Sequence, residues 1–253
     1  MRQIITLTTD FGDEDHYVGA MKGLILGINS DSNIVDITHK IPRHDIFKAA
    51  ITVRNFSRYF PEHSIHVVVI DPGVGSERKP IAFKTEHGVF VGPDNGVFSF
   101  ILESAEKADI YEITNSDYML DNVSCTFHGR DVFAPVAAHI SKGIDICEVG
   151  AKIESPILLD IKKPMENDAG IKGEVIYTDS FGNLITNIKA EMLKGCKNIC
   201  IDDFVIDTVA KSYRDVEIGE LLAIIGSSGY LEISVNQGSA ADHIKDQKVT
   251  VKK

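Results

Sequence analysis

The sequence predicts an α/β protein of two domains: an N-terminal domain with a largely parallel central sheet, and a smaller all-β domain after it. Three observations lead to this class. Short β-branched runs alternate with amphipathic stretches at first, the texture changes around residues 155–170, and only short strands and turns follow. Alternating strands and helices are typical of a parallel sheet covered by helices.

The N-terminal elements follow one another in strand and helix order. Apolar spacing predicts strands at 4–9, 33–38 and 65–70 and helices at 16–29 and 45–60, the second capped by Asp45 or His44. The strand at 65–70, IHVVVI, is continuously apolar, as expected for burial on both faces of a sheet. A hairpin-like pair at 81–85 and 88–92, a turn at 92–96 and a helix at 131–143 complete the domain. Pro135 lies early enough to be tolerated in the first turn of that helix.

The boundary between the domains is predicted from the segment SPILLDIKKPMENDAG, residues 155–170. Its two prolines, scattered charge and glycine indicate a linker, so we assign the domains to residues 1–162 and 170–253. Short strands are then predicted at 173–179, 183–188, 198–201, 204–209, 221–226 and 229–235. Their close spacing favours a small barrel or sandwich.

Composition excludes several classes of function. The balance of 26 basic and 37 acidic residues gives a net charge of −11, which argues against nucleic-acid binding because phosphate contact needs a basic face. No apolar run is long enough for a membrane span, and residues 1–10 enter a strand pattern that leaves no room for a signal peptide. The four cysteines lack zinc-site spacing. We therefore expect reduced thiols, no metal and a cytoplasmic location.

Two acidic residues follow predicted strands, where open α/β sheets place their ligands. Asp10 ends the first strand, and its carboxylate either accepts hydrogen bonds from a sugar diol or caps the next helix. Asp71 ends the strand at 65–70 and opens the turn DPGVG, which leads to Arg78. This turn lacks the lysine of a phosphate loop. On spacing alone, Arg78 is either a solvated surface charge or part of a site.

Two other segments carry candidate groups. His128, in SCTFHGRDVFAP, is either a half-buried ring or a group that handles a proton near neutral pH. Asp179, Phe181 and Asn183, in YTDSFGNLITNI, form either a plain turn with an aromatic plug or a binding loop. Each signal is weak when it is taken alone.

Taken together, seven motifs resemble the S-adenosyl-L-methionine (SAM) hydrolase family, also called SAM hydroxide adenosyltransferase, which is related to SAM-dependent fluorinating and chlorinating enzymes. They occur in the family's order over nearly the whole chain: TTDFG (8–12), DITHKI (36–41), IDPGVGSER (70–78), GPDNG (92–96), TFHGRDVFAP (126–135), DSFGN (179–183) and GYLEISVNQGSA (229–240). The resemblance implies a C-terminal β-barrel, and a homotrimer with active sites between the N-domain of one subunit and the C-domain of the next. It also implies hydrolysis of SAM to adenosine and L-methionine, without a metal or an organic cofactor.

The resemblance also assigns site residues. The family's water-activating acid, arginine and histidine fall on Asp71, Arg78 and His128, and we expect the glycines of the turn to fold Arg78 back toward Asp71. Asp10 matches the acid that holds the ribose hydroxyls. Two groups in the C-terminal domain match substrate-binding segments: Asp179, Phe181 and Asn183, and then Ser227, Ser228, Glu232 and Val235. Whether Asp71 or His128 takes the proton from water stays open.

One departure from the related halogenating enzymes concerns aromatic stacking. Those enzymes place a tryptophan at the position of His44, whereas this chain contains no tryptophan. Phe181, His44 or Tyr17 must then contact the nucleoside.

The alternatives to a SAM hydrolase are a SAM-dependent halogenase of the same fold and a non-catalytic SAM-binding or adenosine-binding protein. A dehydrogenase or methyltransferase is disfavoured because the glycine signature is absent.

Overall fold

A computed structural model describes residues 3–252 of the protein. The chain divides into two compact units, one ending at Leu159 and the other beginning at Asp160. This division falls inside the proline-containing segment 155–170. The outer ends of the two predicted domains, residues 1, 2 and 253, lie outside the described residues.

The N-terminal unit is an α/β domain built on one seven-stranded sheet. Its elements in chain order are β1 (Ile4–Thr9), α1 (Tyr17–Ile28), β2 (Asn33–Thr38), α2 (Ile46–Ser57), β3 (Ile65–Val69), β4 (Pro80–Thr85), β5 (Gly88–Pro93), α3 (Ser99–Ser104), β6 (Asp109–Glu112), α4 (Ala134–Ser141) and β7 (Lys152–Ile153). The strand order is β2-β1-β3-β5-β4-β6-β7. Neighbouring strands are parallel from β2 to β5. A tight turn makes β4 and β5 antiparallel, and the β4–β6 and β6–β7 pairs are antiparallel as well.

Both faces of this sheet are covered. Along β3, Val67 and Val69 pack into one apolar core with residues of α1 and α4, and Val68 packs into a second core with residues of α2 and α3. This alternation is the two-residue period of a strand, and it explains why the segment reads as continuously apolar. The predicted α/β class is confirmed.

Several boundaries differ from the sequence expectation. The helix predicted at 131–143 begins with a π-helical turn at Gly129–Phe133 and continues as α4. The predicted helix at 45–60 ends at Ser57, and of its two candidate caps it is Asp45 that accepts a hydrogen bond from the Lys48 backbone N–H, at 2.8 Å. The sequence pattern predicts neither α3 nor β6, because the six residues of this helix make fewer than two turns and the four residues of this strand are too few to show alternation.

The C-terminal unit consists almost entirely of strands. They are β8 (Met165–Asn167), β9 (Gly170–Thr178), β10 (Leu184–Lys189), β11 (Ile199–Ile201), β12 (Phe204–Ile206), β13 (Val209–Ala210), β14 (Leu221–Ile225), β15 (Tyr230–Val235) and β16 (Lys248–Lys252). Eight of them form a curled sheet in the order β12-β11-β16-β9-β10-β15-β14-β13, while β8 pairs with β9. Because β12 approaches β14, the sheet nearly closes into a barrel. Its interior is apolar and includes Ile171, Ile188, Leu231 and Val249.

Other structural features bear on the classes of function considered above. The four cysteines are free thiols. Among residues 3–252, no group of three or more His, Cys, Asp and Glu side chains is arranged to hold a metal ion. In the same range, no helix has the length and apolarity needed to span a bilayer.

Candidate active site

Two of the predicted N-terminal site residues, Asp10 and Asp71, lie at the carboxyl ends of adjacent parallel strands. Asp10 directly follows β1, and Asp71 follows β3 after one further residue; the two strands pair in register up to Thr9 and Val69. Such an edge is where parallel sheets bind ligands, because the strand ends and their loops leave a crevice there. The topology therefore brings two acidic residues far apart in the sequence to one edge.

Arg78 folds back onto Asp71 through the glycine-containing turn. The Arg78 Nε–H donates to Asp71 Oδ1 at 2.8 Å, and the Nη2 group donates to Oδ2. The side chains are only 8% and 5% exposed, so this is a largely buried bidentate ion pair. The Phe133 ring lies 5.2 Å from the guanidinium carbon and covers one face of the arginine.

Gly75 lets this turn approach the loop that carries His128. Its φ is +75°, and a Cβ atom at this position would lie 2.2 Å from the carbonyl oxygen of Cys125. No side chain fits such a gap, so the turn and the loop meet backbone to backbone only because this residue is glycine. The contact places His128 within reach of Arg78.

His128 completes a chain of three side chains. Its Nδ1 lies 2.8 Å from Arg78 Nη2. Arginine stays protonated and can only donate, so Nδ1 is the acceptor, and the neutral ring carries its hydrogen on Nε2. Burial lowers the pKa of His128, and the nearby positive charge of Arg78 lowers it further. Both effects favour the neutral ring.

Asp131 lies near the site and is not among the residues predicted from the sequence. It is completely buried and accepts hydrogen bonds from the Ser124 backbone N–H at 2.8 Å and from the Ser124 hydroxyl at 2.7 Å. Its other oxygen accepts from Arg130 Nε at 2.6 Å. Although burial opposes it, these donors lower the pKa of Asp131. The Asp131 carboxylate thus fixes the loop that ends at His128. The sequence feature that could have indicated this role is a charged residue at the start of an otherwise apolar helix.

A cavity of about 340 Å³ opens beside this cluster. Its lining includes four of the predicted residues, namely Asp10, Tyr17, Asp71 and His128, and also Asp15, Arg43 and His44. Asp10 Oδ2 accepts a hydrogen bond from the His44 backbone N–H at 2.9 Å. Asp10 therefore does not cap α1, whose first turn receives no side-chain cap. The Tyr17 ring packs edge-on against Phe127, with ring centres 5.1 Å apart.

In the C-terminal unit, Asp179 organises the predicted binding loop. Its Oδ1 accepts from the backbone N–H groups of Phe181 and Asn183, both at 2.9 Å, and its Oδ2 accepts from Asn183 Nδ2 at 2.9 Å. The Phe181 ring is 77% exposed and therefore available to a ligand. A second cavity, of about 500 Å³, is lined by Phe181, Asn183, Tyr213, Val235, Gln237 and Gly238.

Glu232 is buried near this second cavity and holds Tyr213. The Tyr213 hydroxyl donates to Glu232 Oε1 at 2.6 Å, and the Ser234 hydroxyl donates to the same oxygen at 2.8 Å. Burial and the bond to Glu232 raise the pKa of Tyr213 to about 12. Ser227 and Ser228 lie in the turn between β14 and β15 and are not among the residues that line the cavity.

Comparison with known proteins identifies the family. The model of the SAM hydroxide adenosyltransferase N-terminal domain matches residues 5–150, and the model of the C-terminal domain matches residues 173–248. The chain belongs to the SAM hydroxide adenosyltransferase family.

Individual relatives cover almost the full length of this SAM hydroxide adenosyltransferase chain. The (R)-S-adenosyl-L-methionine hydrolase of Methanocaldococcus jannaschii is 41% identical over 91% of this chain and 88% of its own length. A crystal structure of an uncharacterized conserved protein from Thermotoga maritima is 38% identical, with a TM-score of 0.92 over 98% of this chain and 100% of that one. The fluorinase of Actinopolyspora mzabensis is more distant, at 24% identity over 95% of this chain and 93% of its own.

Proposed function

We propose that this protein hydrolyses SAM to adenosine and L-methionine by attack of water at C5′. The observation that carries the proposal is the hydrogen-bonded chain of Asp71, Arg78 and His128 beside the cavity. The relatives named hydrolases, 33–41% identical to this chain, support water as the nucleophile, whereas the fluorinases are more distant. SAM is a substrate here, and we propose that neither a metal nor another cofactor takes part.

The names of these relatives add a stereochemical expectation. They are (R)-SAM hydrolases, and the sulfonium sulfur of SAM is a stereocentre. We propose that this protein also acts on the (R) epimer. An enzyme with this selectivity would remove (R)-SAM and leave the concentration of (S)-SAM unchanged.

The reaction requires the protein to orient the attacking water and to accept one proton from it. Cleavage at C5′ expels a neutral thioether from a sulfonium, so the leaving group needs no acid. Holding water in line with the C5′–S bond makes the attack effectively intramolecular, which lowers the barrier by several kcal/mol. The positive charge on sulfur disappears as the bond breaks, so a poorly hydrated pocket favours the transition state.

We propose that Asp71 accepts the proton of the attacking water. The neutral His128 ring accepts the Arg78 hydrogen bond at Nδ1, so its hydrogen is on Nε2. This Nε2–H would donate to the oxygen of the attacking water and thereby orient it. The Asp71 oxygens accept from Arg78 and retain lone pairs, because each carboxylate oxygen has two. Arg78 stays protonated throughout and keeps both partners in place.

Substrate binding is proposed to involve both units, each through its own groups. In the N-terminal unit, Asp10 would hold the ribose hydroxyls with the oxygen that His44 leaves available, and Tyr17 would contact the sugar. The C-terminal groups would hold the methionine and adenine portions: Asp179, Phe181, Asn183, Ser227, Ser228, Glu232 and Val235. We propose a cytoplasmic homotrimer in which each site combines the N-domain of one subunit with the C-domain of the next.

The deciding experiment is incubation of the purified protein with separate (R) and (S) epimers of SAM, followed by chromatography for adenosine and methionine. We expect both products from the (R) epimer. A 5′-halo-adenosine formed on addition of chloride or fluoride would identify a halogenase instead. Stoichiometric retention of SAM with no adenosine would identify a binding protein.

Variants test the residue roles. Arg78→Ala and His128→Ala should still bind SAM but release adenosine slowly, and full activity in both would overturn the assignment. His128→Asn keeps an acceptor for Arg78 and a donor for water, whereas Asp71→Asn removes the base. Asp71→Asn should therefore lower kcat more than His128→Asn; the reverse order would make His128 the base.

A further inference from the structure

Tyr213 lines the second cavity, in the C-terminal unit, and also reaches a buried carboxylate. The residue is 41% exposed, and its hydroxyl donates to Glu232 Oε1 at 2.6 Å. Glu232 is itself only 7% exposed. Tyr213 therefore lies at the cavity wall and at the same time contacts a proposed substrate-binding residue.

The turn that carries Tyr213 is held by its own hydrogen bonds. It is a single 3-10 turn, Tyr213–Asp215, with Ser212 as its N-cap. The Ser212 hydroxyl accepts from the Arg214 N–H at 3.3 Å, and Asp215 Oδ2 accepts from the Ser212 N–H at 3.2 Å. These reciprocal bonds form a capping box, so the Tyr213 side chain starts from a fixed backbone.

The two oxygens of the Glu232 carboxylate have different surroundings. Oε1 accepts from the Tyr213 hydroxyl and from the Ser234 hydroxyl, the latter at 2.8 Å. Oε2 lies against Gly226, where a Cβ atom would approach it to 2.5 Å. Gly226 opens the turn between β14 and β15, which carries two of the proposed substrate-binding residues. The hydroxyl bonds to Oε1 thus leave Oε2 directed to this turn.

Of the two hydroxyl donors, Tyr213 is the one that ties Glu232 to another part of the unit. Ser234 is completely buried and lies two residues after Glu232, on the same face of β15, so it belongs to the same strand. Tyr213 comes from a separate segment, 19 residues away in the sequence. Burial and the bond to Glu232 raise the pKa of Tyr213 to about 12, so its hydroxyl remains a donor at neutral pH.

We propose that the Tyr213 hydroxyl positions Glu232 so that its second oxygen is presented to the amino-acid end of the substrate at the turn between β14 and β15. Tyr213 acts through Glu232 and contacts no reacting atom, so it is a positioning residue. The inference rests on the proposed function and deepens it, because it names the residue that prepares the site for the methionine portion.

The test compares the binding of two ligands, S-adenosylhomocysteine and 5′-methylthioadenosine. Both contain adenosine and a neutral thioether, and they differ in the amino-acid end, which 5′-methylthioadenosine lacks. Neither has a sulfonium leaving group, so calorimetric titration measures each Kd without turnover. We expect the wild type to bind S-adenosylhomocysteine more tightly, and the ratio of the two Kd values reports recognition of the amino-acid end.

Tyr213→Phe removes the hydroxyl and keeps the ring. It should raise the Kd of S-adenosylhomocysteine about tenfold, the size of one hydrogen bond to a charged group, and leave that of 5′-methylthioadenosine unchanged. In a Glu232→Ala background the same substitution should leave both Kd values unchanged, because the carboxylate through which it acts is gone. Tyr118→Phe is the matched control: the Tyr118 hydroxyl also donates to a glutamate, Glu148, at 3.1 Å, and Tyr118 lines neither cavity.

Three outcomes would overturn the proposal: an equal loss of affinity for both ligands in Tyr213→Phe, an unchanged ratio of the two Kd values, or the same tenfold effect in the Glu232→Ala background. Retained binding of 5′-methylthioadenosine by the variants shows that the fold and the nucleoside site are intact. A wild type that binds both ligands but releases no adenosine from SAM would refute the proposed function and leave the role of Tyr213 standing.

Discussion

Replacing Arg78 by methionine should destabilise the protein through the carboxylate that it leaves behind. The Asp71 side chain is 5% exposed, and Arg78 is the donor to both of its oxygens. Removing one partner of a buried ion pair leaves an uncompensated charge and costs about 3–5 kcal/mol. At about 2–4 °C per kcal/mol for a chain of this size, we expect Tm to fall by roughly 6–20 °C.

A double-mutant cycle separates this electrostatic cost from lost packing. In an Asp71→Asn background, Arg78 is itself the buried charge without a charged partner, and Arg78→Met removes it, so the cost of Arg78→Met should fall to about 1–2 kcal/mol or less. The assay is urea denaturation followed by far-UV circular dichroism, at one protein concentration because an oligomer's stability depends on it. Equal costs of Arg78→Met in both backgrounds would refute the reasoning.

Three further predictions use other features of the molecule. Burial lowers the pKa of His66 from 6.5 to about 4. As the pH falls, the unfolded chain therefore binds a proton at this residue before the folded chain does. About 3 kcal/mol of unfolding free energy is thus present above pH 6.5 and is lost as the pH falls toward 4. Denaturation of His66→Met across this range should lack that slope; an unchanged slope would place its origin elsewhere. Gly75→Ala should slow adenosine release and destabilise by more than the roughly 1–2 kcal/mol of left-handed strain, whereas Gly195→Ala, at φ +77° in open space, should show the strain alone. Equal effects of the two glycine substitutions would contradict the close contact with Cys125. Finally, kcat/KM for cationic SAM should fall at least about threefold between low and high salt, because the chain carries a net charge of −11 that attracts the substrate. The Kd of neutral adenosine should not change with salt. Parallel changes in both quantities would exclude electrostatic attraction as the cause.

The parts of the fold and site that could be predicted from sequence are those set by local patterns. Parallel strands 4–9 and 65–70 place Asp10 and Asp71 at one edge as a rule of topology, and the structure has both there. The strand pattern beyond residue 170 likewise indicated an all-β domain, with barrel and sandwich left open until the resemblance was considered.

The parts that could not be predicted depend on contacts between distant segments. The bond from Arg78 to His128 joins residues 50 apart, and it exists because Gly75 meets Cys125. No local pattern encodes that approach. The same holds for Asp131, whose complete burial gives a charged residue a structural role.

The contact between Gly75 and Cys125 also has a consequence for the order of folding. Between the turn and the loop that it joins, the chain forms β4, β5 and β6, and pairing of these strands shortens the stretch of chain that remains to be closed. We therefore expect Asp71, Arg78 and His128 to come together after these strands have paired. Recovery of the His128 environment during refolding should then not precede the pairing of β4, β5 and β6.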